Sequence, residues 1–530
     1  MSKPMLLSKS EYMMYLKHPA WLWLKKYDKK KLPEVSADLQ AMFDAGHDFE
    51  AYAEAHFPDG VQLGFDSYFE YLSLPARTTQ ALESGTKTIF QGRFEHLKTT
   101  FICDVIRVVG ESEVDLYEIK SSTSVKYDHI VDLAFQVTVL EGCGYRVRSV
   151  YVMHVDNSYT RNGEVDSKQI VATVDVTEDV KGQLPQTARN IEGAIEVMES
   201  AKMPDPSPSL AQLGSLEEWL EVYKNIVPVP DGSIYELCRL NTSTLQLLEA
   251  EGITKLADIP MELVSVKQQR WQLEALKKGE PIYDTTRLSK FLAELEYPLY
   301  FFDYETLSST VPYFNGTRPY QQVPFQYSLH VIDAPGAELK QMGYLHSDNT
   351  NPAKPLSAAL KSQIGEEGTI ITWNMSFEKS CNTLLGNMLP EYKEFYASLN
   401  KRINDLMLPF RNGLYVDAEF GGSASIKKVL PVLVPELSYK NLGIQEGGSA
   451  QRSWMDAVLY GTRATEKDQV LKDLEEYCAL DTLAMVEIYR FLADTASGKT
   501  PDKTTTEPKN SEDPVPESRP TEPEQLSIDL

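Results

Sequence analysis

Asp303 and Glu305 stand two residues apart at the end of the apolar run Leu299-Tyr-Phe-Phe302. On a strand, side chains alternate faces with a period of two, so both carboxylates project to one side and can share a divalent cation. A second buried-strand pattern, Thr369–Trp373, ends in Asn374-Met-Ser-Phe377-Glu378 and delivers a third carboxylate. A third signal is Tyr477-Cys-Ala-Leu-Asp481, inside an apolar-periodic helix over 466–494. There a spacing of four stacks phenol and carboxylate on one helical face. Four carboxylates suffice to hold two Mg²⁺ or Mn²⁺ ions through hard oxygen ligands. The chemistry this suggests is phosphodiester hydrolysis, with one ion activating water, the other stabilising the leaving 3′ oxygen, and Tyr477 orienting the water.

A second constellation lies earlier. Asp104 follows the strand-like stretch Phe101–Cys103, and Glu118-Ile-Lys120 lies on the next strand. Glu118 and Lys120 share a face by the same period, while Ile119 turns to the core. Two carboxylates can bind a metal, and a lysine beside them can position or deprotonate water and offset charge.

These motifs carry a resemblance. DxE, NxxF(D/E) and YxxxD in this order resemble the DnaQ-like DEDD exonucleases of the tyrosine subclass. That likeness implies metal ligation by Asp303, Glu305, Glu378 and Asp481, with Tyr477 orienting water. Glu378 stands where most relatives carry aspartate, and Asp405, in Asn404-Asp-Leu406, is a weaker candidate. The earlier set resembles PD-(D/E)xK nucleases of the RecB type. This implies Asp104 and Glu118 as metal ligands, Lys120 as the catalytic lysine and Gln136 as an added polar residue. In the upstream helix motif Gly46-His-Asp-Phe-Glu50, it implies Glu50 as a ligand, with His47 as the alternative. Leu140 replaces the tyrosine usual four residues after the glutamine. His18-Pro19 stands where an early Cys-Pro is common in RecB-like relatives, and Cys238 is alone in the later region, so an iron–sulfur cluster is not expected. Arg318-Pro-Tyr320, Pro324-Phe-Gln-Tyr-Ser328, Gly422-Ser-Ala-Ser-Ile-Lys427 and Val429-Leu-Pro431 are similar to a bacterial family known mainly as a domain of unknown function. That family sets a RecB-like region before a DnaQ-like one, and the resemblance spans most of 1–495.

The elements that must position these residues read as α/β. Helix periodicity runs over 37–57 and 131–140, and strand-like runs cover 88–94, 101–109, 114–120 and 147–155. Pro204, Pro206 and Pro208 mark a boundary. The expected organisation is a RecB-like, restriction-endonuclease-like mixed sheet over 1–200 and a helical connector over 201–296. A ribonuclease-H-like, DnaQ-type mixed sheet with flanking helices follows over 297–495, then a disordered tail over 496–530. The tail is rich in Pro, Thr, Glu, Ser and Lys and too poor in apolar residues to offset its ordering entropy. Its end, Gln525-Leu-Ser-Ile-Asp-Leu530, resembles the hexapeptide by which bacterial polymerases and repair factors bind the sliding clamp. This implies Ile528 and Leu530 as apolar anchors and Gln525 as an orienting amide.

Composition sets limits. No run approaches the roughly 18 apolar residues of a membrane span. The stretch Met1–Lys26 lacks the apolar core of a signal peptide, and five scattered cysteines form no CxxC pair. A reduced, cytoplasmic protein with no membrane partner is expected. The net charge of −25 argues against strong free affinity for DNA. Bound cations invert the local field at an acidic centre, and a clamp tether replaces intrinsic affinity with effective concentration. The expected partner is DNA, single-stranded or at 3′ ends, with RNA the alternative. Tyr313, Phe314 and Tyr320 are candidates for stacking on an unpaired base or, equally, for core packing.

Overall fold

The computed structural model describes residues 5–34 and 37–499. The hexapeptide with Gln525, Ile528 and Leu530 lies outside the described residues. In the first half, α1 (Lys9–Lys17), α2 (Pro19–Tyr27) and α3 (Ala37–Glu54) precede most of the sheet. The strands are β1 (Leu7–Ser8), β2 (Gly60–Gln62), β3 (Thr88–Phe90), β4 (Arg93–His96), β5 (Thr99–Ile102), β6 (Val105–Val108), β7 (Glu113–Lys120), β8 (Arg146–Val155) and β9 (Val171–Asp175). A six-stranded sheet runs β2-β3-β6-β7-β8-β9, and a three-stranded sheet runs β1-β5-β4. β6 and β7 are antiparallel, whereas β7 and β8 are parallel. The parallel pair requires a crossover, supplied by α4 (Tyr127–Gly142), which is buried along most of its length. α5 (Thr177–Glu199) covers α4, and Tyr12 of α1 stacks on Phe135 of α4 at 4.8 Å.

Two runs that read as continuous strands are each broken. The stretch 88–94 splits at Gln91, whose φ is +56°, and 101–109 splits at Cys103-Asp104. The breaks are tied together, since Cys103 N donates to Gly92 O (2.9 Å) and Gln91 N to Asp104 O (3.2 Å). The two sheets part here, and the break frees Asp104 to turn toward β7.

Short helices between the halves gather around Trp219, which is fully buried and stacks on His18 at 3.9 Å. His18 caps α2 by accepting from Ala20 N (3.1 Å), so it is part of a packed turn.

In the second half the strands are β10 (Leu299–Leu307), β11 (Val323–Ile332), β12 (Leu339–Leu345), β13 (Thr369–Thr372) and β14 (Ile403–Asp405). The sheet order is β12-β11-β10-β13-β14, with β11 antiparallel to both neighbours and the other pairs parallel. One antiparallel strand in this 3-2-1-4-5 order is the ribonuclease-H-like arrangement. Alternation along β10 divides the core. Tyr300, Phe302 and Tyr304 pack with α6 (Ala353–Gln363) and α7 (Met375–Met388). Leu299 and Phe301 pack on the other side with α8 (Ile426–Leu433) and α10 (Lys467–Ala496), which follows α9 (Gly447–Trp454). Asp303 and Glu305 continue this second face, and a β-bulge immediately after Glu305 shifts the register with β11. The chain is therefore α/β with mixed sheets, as the patterning predicts.

The segment 308–322 joins the halves. Arg161 donates from Nη1 to the Pro312 and Tyr313 carbonyls (2.8 Å each), and Tyr320 donates to the Ser121 carbonyl. Phe314 is buried, and Tyr313 packs on Phe314 and Tyr460. These three aromatics thus serve packing and the contact between halves. Among the described residues no helix is long and apolar enough to cross a membrane.

Candidate metal centre and its lysine-paired counterpart

The C-terminal cleft, about 370 Å³, is lined by Asp303, Glu305, Tyr477 and Asp481. Ligand atoms of Asp303, Glu305 and Cys478 lie within 4.8 Å of one another. Glu378 does not line the cleft wall but is buried beside Asp303, close enough for the two charges to raise each other's cost. It arrives there through a tight turn, because Asn374 takes φ +74° to start α7, a conformation asparagine tolerates better than most residues. Asp405 holds this turn, accepting from Asn374 N and Met407 N at 3.0 Å each. That role accounts for one of its oxygens and makes Asp405 a positioning residue.

The electrostatics are those of an acidic site short of cations. Burial, then the neighbouring Asp481 charge, pushes Asp303 well above the ordinary carboxyl range. Burial with Asp303 and Asp481 does the same to Glu305, against the pull of Lys427. Burial and Asp303 raise Glu378 to about 9. Burial raises Asp481 only to about 6, because Tyr439, Tyr477 and Lys427 stabilise its charged form. Tyr439 donates to Asp481 Oδ1 at 2.6 Å. Burial and the nearby carboxylates raise both phenols, so Tyr439 and Tyr477 remain donors. Glu378 Oε2 is buried and makes no well-formed hydrogen bond, although the Thr372 side chain lies near enough to favour its charged form. An orphaned carboxylate oxygen among four mutually repelling carboxylates is the donor set that a hard divalent cation satisfies. Burial and the same carboxylates keep Cys478 a thiol in the metal-free chain.

The N-terminal residues are arranged differently. Asp104 Oδ2 accepts from Ile119 N at 2.7 Å. Glu118 Oε1 accepts from Lys120 Nζ (2.7 Å) and from Lys9 Nζ (2.8 Å), and Oε2 accepts from Gln136 Nε2 (2.7 Å). Asp132, on the same face of α4 as Gln136, accepts from Lys120 at 3.1 Å. Burial alone would raise Glu118, but Lys120, Lys9 and Gln136 outweigh it and hold the carboxyl well below its usual range. Burial and Glu118 raise Asp104 to about 7. Glu50 enters neither charge pattern. It faces His47 on its own helix, Nδ1 to Oε1 3.4 Å.

Three residues at these centres were not singled out from the sequence as site residues. Lys9 and Asp132 reach the N-terminal centre, and Tyr439 reaches Asp481. Asp132 carried a local signal, four residues before Gln136 on one helix face. Lys9 and Tyr439 carried none, because each is brought in by tertiary packing alone.

A family model described as Domain of unknown function (DUF2779) matches residues 300–425. That span includes Asp303, Glu305 and Glu378 and stops short of Tyr477 and Asp481. The chain is 28% identical over 214 residues to "Uncharacterized protein MG366" of Mycoplasma genitalium, covering 37% of this chain and 32% of that protein. It is 24% identical over 302 residues to the homolog in Mycoplasma pneumoniae, covering 53% and 44%. It is 26% identical over 220 residues to "Uncharacterized protein UU173" of Ureaplasma parvum, covering 38% and 32%. The aligned part of the chain thus spans less than half the length of each of these relatives.

Proposed function

We propose that residues 297–495 form a divalent-metal-dependent 3′–5′ exonuclease within a two-part cytoplasmic nuclease acting on DNA. The observation that carries this reading is uncompensated charge. Asp303, Glu305, Glu378 and Asp481 converge from β10, α7 and α10, and Lys427 is the cationic side chain that opposes the upward shifts of Glu305 and Asp481. Mg²⁺ or Mn²⁺ held by these oxygens would supply the charge that makes water nucleophilic and stabilises the departing 3′ oxygen. The protein's own groups do the rest. Tyr477, kept protonated, offers a hydroxyl to orient the water. Lys427, on the cleft wall, offers its ammonium to a non-bridging phosphate oxygen. Trp373, fixed by its Nε1 donating to Ala424 O (3.1 Å), and Phe377 form an apolar wall for a terminal base.

With Lys9 and Lys120 docked on Glu118, the N-terminal centre does not fit a divalent ion. That half serves as a grip, with Lys25 and Lys29–Lys31 offering positive charge to phosphates near the end of α2. The DnaQ-like resemblance agrees with catalysis by the C-terminal half.

The test is release of label from 3′-labelled single-stranded DNA, duplex DNA and RNA, each with Mg²⁺, Mn²⁺ or EDTA. Stepwise, metal-dependent release from DNA is expected. Preference for RNA would reassign the substrate, and no metal-dependent release from any of them would leave a nucleic-acid-binding adaptor.

Recruitment by the sliding clamp is part of the proposal, resting on Gln525, Ile528 and Leu530 at the chain end. Deleting residues 525–530 is expected to abolish capture by immobilised clamp while leaving trimming of free oligonucleotides unchanged. Capture at full strength after the deletion removes the tether.

A further inference from the structure

Lys9 sits where the N-terminal centre needs a cation, and its position is built into the backbone. Leu7–Ser8 pairs with Thr99–Ile102, the central strand of the three-stranded sheet, which fixes the start of α1. Ser8 and Glu11 then cap the helix reciprocally: Ser8 N donates to Glu11 Oε2 (2.9 Å), and Glu11 N to Ser8 Oγ (3.3 Å). Lys26 pins Glu11 in turn, Nζ to Oε2 2.7 Å. Lys9 is the first residue of this helix, so its stem is aimed at β7 from a braced position.

At the other end of that stem the donor count is decisive. Glu118 Oε1 accepts from two ammonium groups, which uses both of its lone pairs, and Oε2 accepts from Gln136. Lys9 also lies 3.8 Å from Asp132 Oδ2. Three carboxylates (Asp104, Glu118, Asp132) therefore meet two ammoniums. In the C-terminal centre, among the described residues, no ammonium is paired with any of the four carboxylates, and Lys427 acts on Glu305 and Asp481 through its charge alone. A divalent ion binding through Glu118 Oε1 must first displace a paired ammonium, whereas one entering the C-terminal cleft displaces none.

We propose that Lys9 acts as the built-in cation of the N-terminal centre, keeping Asp104 and Glu118 free of divalent metal until it is withdrawn. The two centres of this chain then differ in kind, one metal-dependent and one closed by its own lysine. The inference does not depend on the nuclease reading of the C-terminal half, because metal binding at each centre is separable by substitution.

The test is Mn²⁺ binding to the full chain, followed by electron paramagnetic resonance and calorimetry. With Asp303→Asn and Asp481→Asn silencing the C-terminal centre, no tight Mn²⁺ is expected while Lys9 is present. Adding Lys9→Met is expected to raise Mn²⁺ affinity by about tenfold or more, and adding Glu118→Gln to that chain removes the gain. Tight Mn²⁺ in the chain that keeps Lys9, lost on Glu118→Gln, overturns the proposal. A folded Lys9→Met chain that gains no Mn²⁺ overturns it equally. Should Lys9→Met fail to fold, the Lys9-containing chain with and without Glu118→Gln decides by itself. Loss of Mn²⁺ on Asp303→Asn in the otherwise natural chain reports separately on the other centre.

Discussion

Asp303→Asn is expected to end Mg²⁺-dependent trimming, with a fall on the order of 10³-fold or more, and at the same time to make the metal-free protein harder to unfold. Both effects come from the position of this carboxylate at the middle of the cluster. Its charge contributes to the upward shifts of Glu305 and Glu378, and also acts on Tyr439, Tyr477 and Cys478. The amide keeps the shape and one acceptor oxygen but removes the charge that a cation would bridge. Without metal, that charge is a liability: buried like charges oppose each other, and their neighbour Glu378 Oε2 makes no well-formed hydrogen bond. Neutralising it should stabilise the chelated protein by about 1–3 kcal/mol, since a tenfold change in proton affinity is worth about 1.4 kcal/mol. Single-turnover trimming and chemical unfolding in EDTA at pH 8 measure the two effects. An ordinary structural aspartate behaves in the opposite way, losing stability on substitution. Retained trimming, or a destabilised metal-free variant, sinks the assignment of Asp303 to the metal centre.

The parts of this cluster legible in the sequence are those governed by local periodicity. Asp303 and Glu305 share a face because a strand repeats every two residues, and Tyr477 lies over Asp481 because a helix nearly repeats every four. The Asn374 turn before Glu378 was legible as a strand end followed by a polar break. What escaped depends on chain segments meeting in space. Tyr439 opens a single 3-10 turn with no pattern of its own, yet it supplies the 2.6 Å hydrogen bond to Asp481. Lys9 sits among several lysines of the first thirty-one residues, and only the pairing of Leu7–Ser8 with β5 distinguishes it from them. The continuous runs over 88–94 and 101–109 hid two breaks for a related reason. Apolar content reports burial, but a change of sheet is made by backbone geometry at Gln91 and Asp104. Glu50 illustrates the converse: a helix motif fixed its neighbours along the chain but not the direction of its face toward β7.

The increase in thermal stability produced by Mg²⁺ should grow as pH rises from about 5 to 9. The sign follows from which state holds the protons. Asp481 titrates near 6 and Glu378 near 9 in the folded metal-free chain, and Asp303 and Glu305 are raised in the same direction, all by burial first. In the unfolded chain each releases its proton near the ordinary carboxyl value of about 4. Between these limits the folded state binds more protons than the unfolded one, so stability falls with rising pH, by on the order of a few kcal/mol across the window. Glu118 does not counter this trend, because its pKa is depressed and its contribution is lost only in acid, below the window. A divalent ion compensates the C-terminal charges without protons and binds only the folded state, so it removes that part of the slope and adds its own binding free energy. Asp104, near 7, should leave a smaller residual decline that Mg²⁺ does not abolish while Lys9 is docked. Melting curves in EDTA and in Mg²⁺ at pH 5.5, 7 and 8.5 separate these contributions, and Asp303→Asn with Asp481→Asn should flatten most of the chelated slope. A Mg²⁺ increment that is constant across pH, or largest in acid, would mean that the buried carboxylates are not where the ion binds.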